Sequence, residues 1–490
     1  VTSFAERCAV DSQARAAACV RLLQSLADQG IDRVRIGWCD LHGALRGKTL
    51  MRPALADALD NGVGMVSTLM LKDSSDRTAY KVFEPGLAER LPGFGMANNL
   101  LLLPDPASFV TLPWAAGTGW LRAMPHFPDG TPVALDTRQV LIDALARLAA
   151  AGYGLRCGLE LEFHIYRIDA EPLDPMLAAW PGEAPSVSML HPGYNLLSEA
   201  WADRCDAALR IVQHTAQGLG LPLRSLEIEL GPSQFEAVFE ATDALTAADQ
   251  MVLFRNGVAQ ALRREGYLAT FMCRPPFANI MSSGWHLHQS LVASGSGRNL
   301  FQRDTPAPGV SANDAAAVLS TLGGHWLAGL LAHAPAGSAF ATPTINGYGR
   351  YGANALAPQA VLWGRDNRGA MLRVLGGPGD AGTRVENRCG EPLANPYLYI
   401  ASQVHAGLDG IDRALLPPPA TASPYAGGDG LLPGSLADAL AALQRDGPLR
   451  GAFGQPFVDH YLQVRRHELQ RHAAAPDKDE WQRREYFSRF

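Results

Sequence analysis

The sequence predicts an α+β fold of two unequal domains, and three observations predict it. Helical and strand periodicities interleave along the 490 residues. Near residue 135 the texture changes, from short apolar runs rich in Gly and Pro to long amphipathic segments. The most apolar stretch, Trp326 to Phe340, is interrupted by His333 and Pro335 and is too short to span a bilayer. We therefore expect a small domain over residues 1–134 and a larger one over 135–490.

Each element follows from local pattern. Helical periodicity runs from Asp11 to Gln29, and IDRVRIGWCDL then alternates as a half-buried strand up to the His42-Gly43 turn. ALRGKTLMRP reads as its hairpin partner, and a second helix spans Ala54 to Asn61. DTRQVLIDALARLAAAGY is an amphipathic helix feeding the strand GLRCGLELEFHIY. Helices over Glu199–Gly218, Asp243–Glu265 and Asn313–Ala334 then alternate with the strands LRSLEIEL, QFEAVF, YLATFMC and WHLHQSLV, and the tail after Ser435 is helical and charged.

Composition removes several classes of function. With 42 Lys+Arg against 48 Asp+Glu and a formal charge of -6, the chain lacks the basic surface that phosphate-held nucleic-acid binders need. The N-terminal VTSFAERCAVDSQARAAACV lacks the basic-then-apolar order of a signal peptide. The seven cysteines are scattered and odd in number, which fits reduced thiols in a cytoplasm. HGALRGKT is one residue short of a phosphate loop and follows a hairpin turn. GYGRYG and GPGDAG match G-x-G-x-x-G but sit between no strand and helix, so the dinucleotide reading is discarded.

The chemistry concentrates in a few runs. Glu160 and Glu162 lie two apart in GLELEF, which puts both carboxylates on one strand face. Buried like charges persist only beside a neutralising cation, although a solvated face is the ordinary reading of a single E-x-E. In EIELGPSQFEAVF, Glu229 and Glu236 flank a Gly231-Pro232 turn, and in SSGWHLHQSL, His286 and His288 share a face. With Glu386 in TRVENR, this set suits hard divalent ions such as Mg²⁺ or Mn²⁺ better than zinc. Arg350, Arg365, Arg368, Arg373, Arg384 and Arg388 follow within a short stretch interleaved with Gly, Asn and Pro. Beside carboxylates and metals they read as a clamp for phosphates and a substrate carboxylate, the alternative being a salt-bridge network.

These motifs, in this order, resemble the glutamine synthetases: DLHGALRGK, ELE, ELGPSQFE, SSGWHLHQS, PTINGYGR, WGRDNR, RVENR and ANPYL. The resemblance implies an N-terminal β-grasp domain, a catalytic α+β domain, and active sites between subunits of a homo-oligomer, a dodecamer of two stacked hexameric rings. It makes Glu162, Glu229 and Glu236 ligands of one metal, with Glu162 also beside the substrate, and Glu160, His286 and Glu386 ligands of the other, with two or three ions per site. It assigns His288, Ser290, Arg368, Arg373 and Arg384 to ATP and its phosphates, with Arg350, Arg368 and Arg373 catalytic. Arg350 and Arg388 match positions that hold the acid, glutamate.

Departures from the family pattern point to the second substrate. Leu356, in Ala355-Leu356-Ala357-Pro358, replaces the flap glutamate that receives the ammonium proton, and Val66 stands at the position of a loop aspartate. Met281-Ser282-Ser283-Gly284 replaces N-G-S-G. A pocket without those carboxylates suits a neutral arylamine better than ammonium or an alkylammonium, whose pKa of about 10.4 demands a base. The expected activity is an ATP-dependent ligase joining glutamate to a hydrophobic or aromatic amine through a γ-glutamyl phosphate. The alternatives are a polyamine, ethanolamine or short alkylamine as acceptor, and a catalytically silent structural or regulatory homologue. Tyr425, in ASPYAGG, is a residue whose modification the sequence leaves open.

Overall fold

A computed structural model describes residues 2–351, 356–426 and 430–490. Gly352 of GYGRYG, Ala355 of the flap motif and Gly427 of ASPYAGG lie outside the described residues. The first sheet holds β1 (Arg33–Cys39), β2 (Leu45–Met51), β3 (Val63–Val66), β4 (Asn99–Pro104), β5 (Val110–Thr111) and β6 (Thr118–His126). Its order is β2-β1-β6-β4-β3, with β5 also on β6. β1 and β6 run parallel at its centre, and the other pairs are antiparallel. The alternation in IDRVRIGW decides its faces: Val34, Ile36 and Trp38 are buried in the core, while Arg33, Arg35 and Gly37 share the opposite face. The hairpin between β1 and β2 is pinned by Asp40, whose carboxylate accepts the N–H groups of His42 and Ala44 and the Arg46 guanidinium. Gly47, Lys48 and Thr49 therefore sit inside a strand that continues to Met51, not in a loop that opens a helix.

The second sheet is built around β7 (Tyr153–Ala170), followed by β8 (Ser186–Met189), β9 (Leu223–Ile228), β10 (Gln234–Phe239), β11 (Thr242–Asp243), β12 (Tyr267–Thr270), β13 (Trp285–Ala293), β14 (Trp363–Arg365), β15 (Leu372–Leu375) and β16 (Arg384–Gly390). The order is β14-β15-β16-β13-β7-β10-β9, with β8, β11 and β12 also pairing β7. Along β7, Leu155, Cys157, Leu159, Leu161, Phe163 and Ile165 form one buried face. Helices Thr137–Ala150 and Ala244–Arg264 pack against β7, and the nearly wholly buried helix Pro396–Asp412 packs on both. Full burial contributes about 1.5–3 kcal/mol for each large side chain of this layer. The alternate residues of GLELEF turn the other way, so Glu160 and Glu162 emerge on the face away from the helices.

Two expected helices differ. Asn313–Ala334 begins only at Thr321, because the Ser320 hydroxyl accepts the Gly323 N–H and restarts the chain as an N-cap. A further helix, Ala334–Ala341, follows with Pro335 in its first turn. Glu199–Gly218 is split at Cys205, whose buried side chain turns toward the Leu190 carbonyl. The seven cysteines are free thiols, and among the described residues no helix is long and apolar enough to cross a membrane.

Candidate active site

Strand register assembles the site. Glu162 lies opposite Glu236 on β10, Glu160 opposite His286 on β13, and Glu386 on β16 opposite both His288 and Arg373 of β15. Side chains directly opposite one another on a sheet face interact, and like charges there repel. Glu229 stands just beyond β9 in the Gly231-Pro232 turn, which closes when its N–H donates to the Gln234 carbonyl. The turn thus brings Glu229 back toward the strands, as the spacing predicted.

The Glu162, Glu229 and Glu236 side of the resulting cluster is short of positive charge. Burial pushes Glu236 up to about 10, reinforced by Glu162, Glu160 and Glu229. Burial likewise raises Glu162 to about 7, with Glu229 adding to it and Arg350 opposing it. Burial and then the nearby Arg388 hold His286 down to about 4, so its imidazole is neutral and available as a ligand. His286 Nδ1 lies 3.4 Å from Glu160 Oε2. Its Nε2 is buried without a hydrogen-bond partner, 3.8 Å from Glu162 Oε1. An orphaned imidazole nitrogen among raised carboxylates fits a divalent ion with mostly oxygen ligands. Ligand atoms of Glu160, Glu236 and His286 lie within 4.8 Å of one another, as do those of Glu160, His288 and Glu386. The two groupings share Glu160: one adds His286 and Glu236, the other His288 and Glu386, and Glu162 and Glu229 fall outside both, a division different from the sets expected from the sequence.

A cavity of about 670 Å³ opens beside this cluster, lined by Glu160, His288, Ser290 and Arg384 among others. The Arg384 Nε–H donates to His288 Nδ1 at 3.0 Å, which leaves the ring proton on Nε2, 2.9 Å from Glu160 Oε1. Arg373 donates to Glu386 Oε2 at 3.0 Å and also to Asp366, while Arg388 donates to the other Glu386 oxygen. Arg368 is exposed in the turn between β14 and β15 and does not line the cavity. Arg350 is buried, and its Nη1 donates to the carbonyls of Arg388 and Gly390. Its remaining nitrogens face Gly284, where any Cβ would collide with the guanidinium. That close approach is why a glycine stands there, and the Gly284 N–H in turn donates to Glu162 Oε2 at 2.9 Å.

The profile of the glutamine synthetase catalytic domain matches residues 134–484. The chain belongs to the glutamine synthetase family. It is 38% identical over 488 residues to a gamma-glutamylanilide synthase of an Acinetobacter species, covering 96% of this chain and 95% of that one. It is 32% identical over 474 residues to a gamma-glutamylethanolamide synthetase of Streptomyces coelicolor, covering 96% of each. The solved structure described as apo GmaS without ligand superimposes with a TM-score of 0.74 at 30% identity, covering 94% of this chain and 98% of the other. As a member of this family the chain is an ATP-dependent carbon–nitrogen ligase.

Three further residues of this ligase escaped the sequence reading. Glu227 lies opposite Glu236 and adds to the repulsion on Glu229 and Glu236; its signal was the second E-x-E, in LEIEL. Gln234 bridges Glu162 Oε2 at 3.1 Å and the Ser283 hydroxyl at 3.0 Å, tying two motifs together. Asp366 holds Arg373 from the opposite side to Glu386, which no spacing rule announced. Leu356 is 56% exposed in the left-handed region at φ +54°, next to Ala357, whose carbonyl accepts the Tyr425 hydroxyl at 3.2 Å. Val66, 39% exposed at the end of β3, is joined to the carboxylate cluster by no contact among the described residues.

Proposed function

We propose that this ligase joins the γ-carboxylate of glutamate to an aromatic or otherwise hydrophobic amine, consuming ATP and passing through γ-glutamyl phosphate. The observation that carries the choice of amine is Leu356, an aliphatic residue on an exposed loop where the family pattern has a carboxylate. The 38% identity to a gamma-glutamylanilide synthase supports the same choice. The likeness to a gamma-glutamylethanolamide synthetase is what favours a small alkylamine as the second reading.

In this reading the acidic cluster holds Mg²⁺ or Mn²⁺. The ions supply charge neutralisation for the transferred phosphoryl group. Glu162, Glu229 and Glu236 hold one, and Glu160, His286 and Glu386 the other. Arg384, His288 and Ser290 line the space for the nucleotide. Arg373, braced by Asp366 and Glu386, meets the charge that develops on the transferred phosphoryl oxygens; Arg368, exposed in its turn, would have to swing inward to join it. Arg350 and Arg388 bind the carboxylates of glutamate through guanidinium nitrogens left free by their backbone and Glu386 contacts. An arylamine is neutral at pH 7 and needs no carboxylate to take a proton before attack.

We also assign the domain division at 134/135 and assembly into two stacked hexameric rings, in which Val66 faces a neighbouring subunit's acceptor pocket. The deciding experiment is a panel of aniline, ammonium, ethanolamine and putrescine at pH 7, scored by ADP release with saturating glutamate and ATP. Aniline should exceed ammonium by orders of magnitude in kcat/KM. Comparable efficiency with ammonium would overturn the reading, and efficiency with ethanolamine or putrescine alone would replace it by the alkylamine alternative.

A further inference from the structure

The charged face of β1 is roofed by the helix Ala244–Arg264. Leu253, Gly257, Gln260 and Arg264 recur at helical spacing and lie over Arg35 and Gly37 of β1, Thr49 of β2, and Thr118 and Trp120 of β6. Two chambers remain between sheet and helix. The inner one, about 160 Å³, is lined by Leu112, Trp114, Trp120 and Leu253 together with Arg35 and Thr49. The outer one, about 630 Å³, is lined by Arg33, Arg35, Arg264, Thr49 and Met51. Arg35 and Thr49 line both, so the chambers adjoin.

No carboxylate lines either chamber among the described residues, in a chain whose formal charge is -6. Among the described residues, Arg35 hydrogen-bonds only the neutral Gln260 amide, at 2.7 Å, and burial together with Arg264 and Arg33 pushes its guanidinium down from its usual range. Arg33 donates to the Thr118 hydroxyl and the Ala116 carbonyl, and its Nε lies 3.9 Å from the mostly exposed Asp32. Gly257 belongs to the same design: a Cβ there would stand 3.0 Å from the Trp114 ring. Like-charged guanidiniums held together at the mouth of an indole-lined chamber are a receptor for an anion with a flat apolar body.

We infer that this sheet–helix chamber is a second ligand site, separate from the carboxylate cluster, that binds a small aromatic carboxylate. The anion meets Arg33, Arg35 and Arg264, and the ring enters between Trp114 and Trp120. The inference does not depend on which amine the ligase uses. It gives a role to the R-G-K-T run, which sets Thr49 beside Arg35 in the lining and forms no phosphate loop.

The test is calorimetric titration of the full chain, with glutamate and ATP saturating so that the active site is filled, using benzoate as probe. Acetate, benzyl alcohol and inorganic phosphate at matched ionic strength are the controls. Benzoate should bind at least about ten-fold more tightly than any control, because only it combines the charge with the ring. Arg35→Gln and the exposed Arg264→Gln should each weaken benzoate binding at least about five-fold while ligase turnover without benzoate stays unchanged. Phosphate or acetate binding as well as benzoate would remove the aromatic chamber from the proposal. Benzoate affinity unchanged in both variants would overturn it. If Arg264→Gln instead alters the oligomer's sedimentation and wild type binds no benzoate, the mouth is a subunit contact and the site does not exist.

Discussion

Replacing Glu236 by Gln should make the metal-free protein more heat-stable and at the same time remove the stabilisation that Mn²⁺ confers. Glu236 is 8% exposed and directly opposite Glu162, and burial followed by its acidic neighbours pushes it up to about 10. An acid whose pKa rises on folding binds more protons folded than unfolded, so it destabilises the fold above its ordinary value of 4.5, increasingly as pH rises toward 10. At pH 8, roughly 3.5 pH units above that value, about 1.36 kcal/mol per unit sets a ceiling near 5 kcal/mol. Screening and relaxation around neighbouring acids bring the recoverable part to about 1–2 kcal/mol. Calorimetry in EDTA at pH 8 should show the Glu236→Gln melting temperature a few degrees above wild type, with a smaller gain at pH 6. Millimolar Mn²⁺ should raise the wild-type value and leave the variant nearly unmoved, because ion binding to the native state alone is stabilising. The reasoning fails if the variant is less stable than wild type in EDTA at pH 8, or if Mn²⁺ stabilises both equally.

Other perturbations follow from the same geometry. Arg373→Ala should chiefly lower kcat, by about 10²–10³, and Arg350→Ala should chiefly raise KM for glutamate; an unchanged glutamate KM in the latter would place the acid elsewhere. Leu356→Glu should shift the ratio of aniline to ammonium kcat/KM toward ammonium by about ten-fold, since it restores a proton acceptor but on a half-exposed loop; an unmoved ratio would show that this residue does not face the acceptor. His333 lies 2.8 Å from Asp409 and 2.6 Å from Asp446, and although burial lowers it, hydrogen bonds with Asp446 and Asp409 raise it above its ordinary 6.5. Its contribution is then complete below pH 6.5 and lost as pH rises through the folded value, so His333→Gln should lower the melting temperature more at pH 6 than at pH 9; an equal loss at both would refute the ion pair.

What the sequence made legible was local. The period-two spacing of Glu160 and Glu162 and of His286 and His288 needs only the pleat of a strand, and both pairs emerge on the expected face. What it hid was pairing. That Glu162 meets Glu236 whereas Glu160 meets His286 depends on β7 lying between β10 and β13, a strand order fixed by contacts between residues more than 70 positions apart. Asp366 and Gln234 act through such contacts too, so their roles were invisible although their positions were not. The helix expected from Asn313 failed for a different reason: the Ser320 cap fixes the start at Thr321, and no periodicity count registers a hydroxyl.

The two halves of the candidate site are built on different material, and this bears on how one fold serves several amines. Glu160, Glu162, Glu236, His286, Glu386, Arg373 and Arg384 stand on paired strands whose register leaves each side chain little freedom. Leu356 stands on an exposed loop in a left-handed conformation, and Val66 at the exposed end of a strand in the other sheet. Changing a strand residue disturbs its opposite partner, whereas changing Leu356 leaves the carboxylate cluster and the arginines where they are. Relatives named for an anilide and for an ethanolamide sharing a third of their residues with this chain are what such a division allows. Phosphoryl chemistry demands fixed charges, and acceptor choice demands only that a few loop side chains match the amine's polarity. It follows that exchanging the 356–358 segment between such relatives should exchange acceptor preference with glutamate-dependent ATP affinity preserved, and that the same exchange made at β10 or β13 should abolish both.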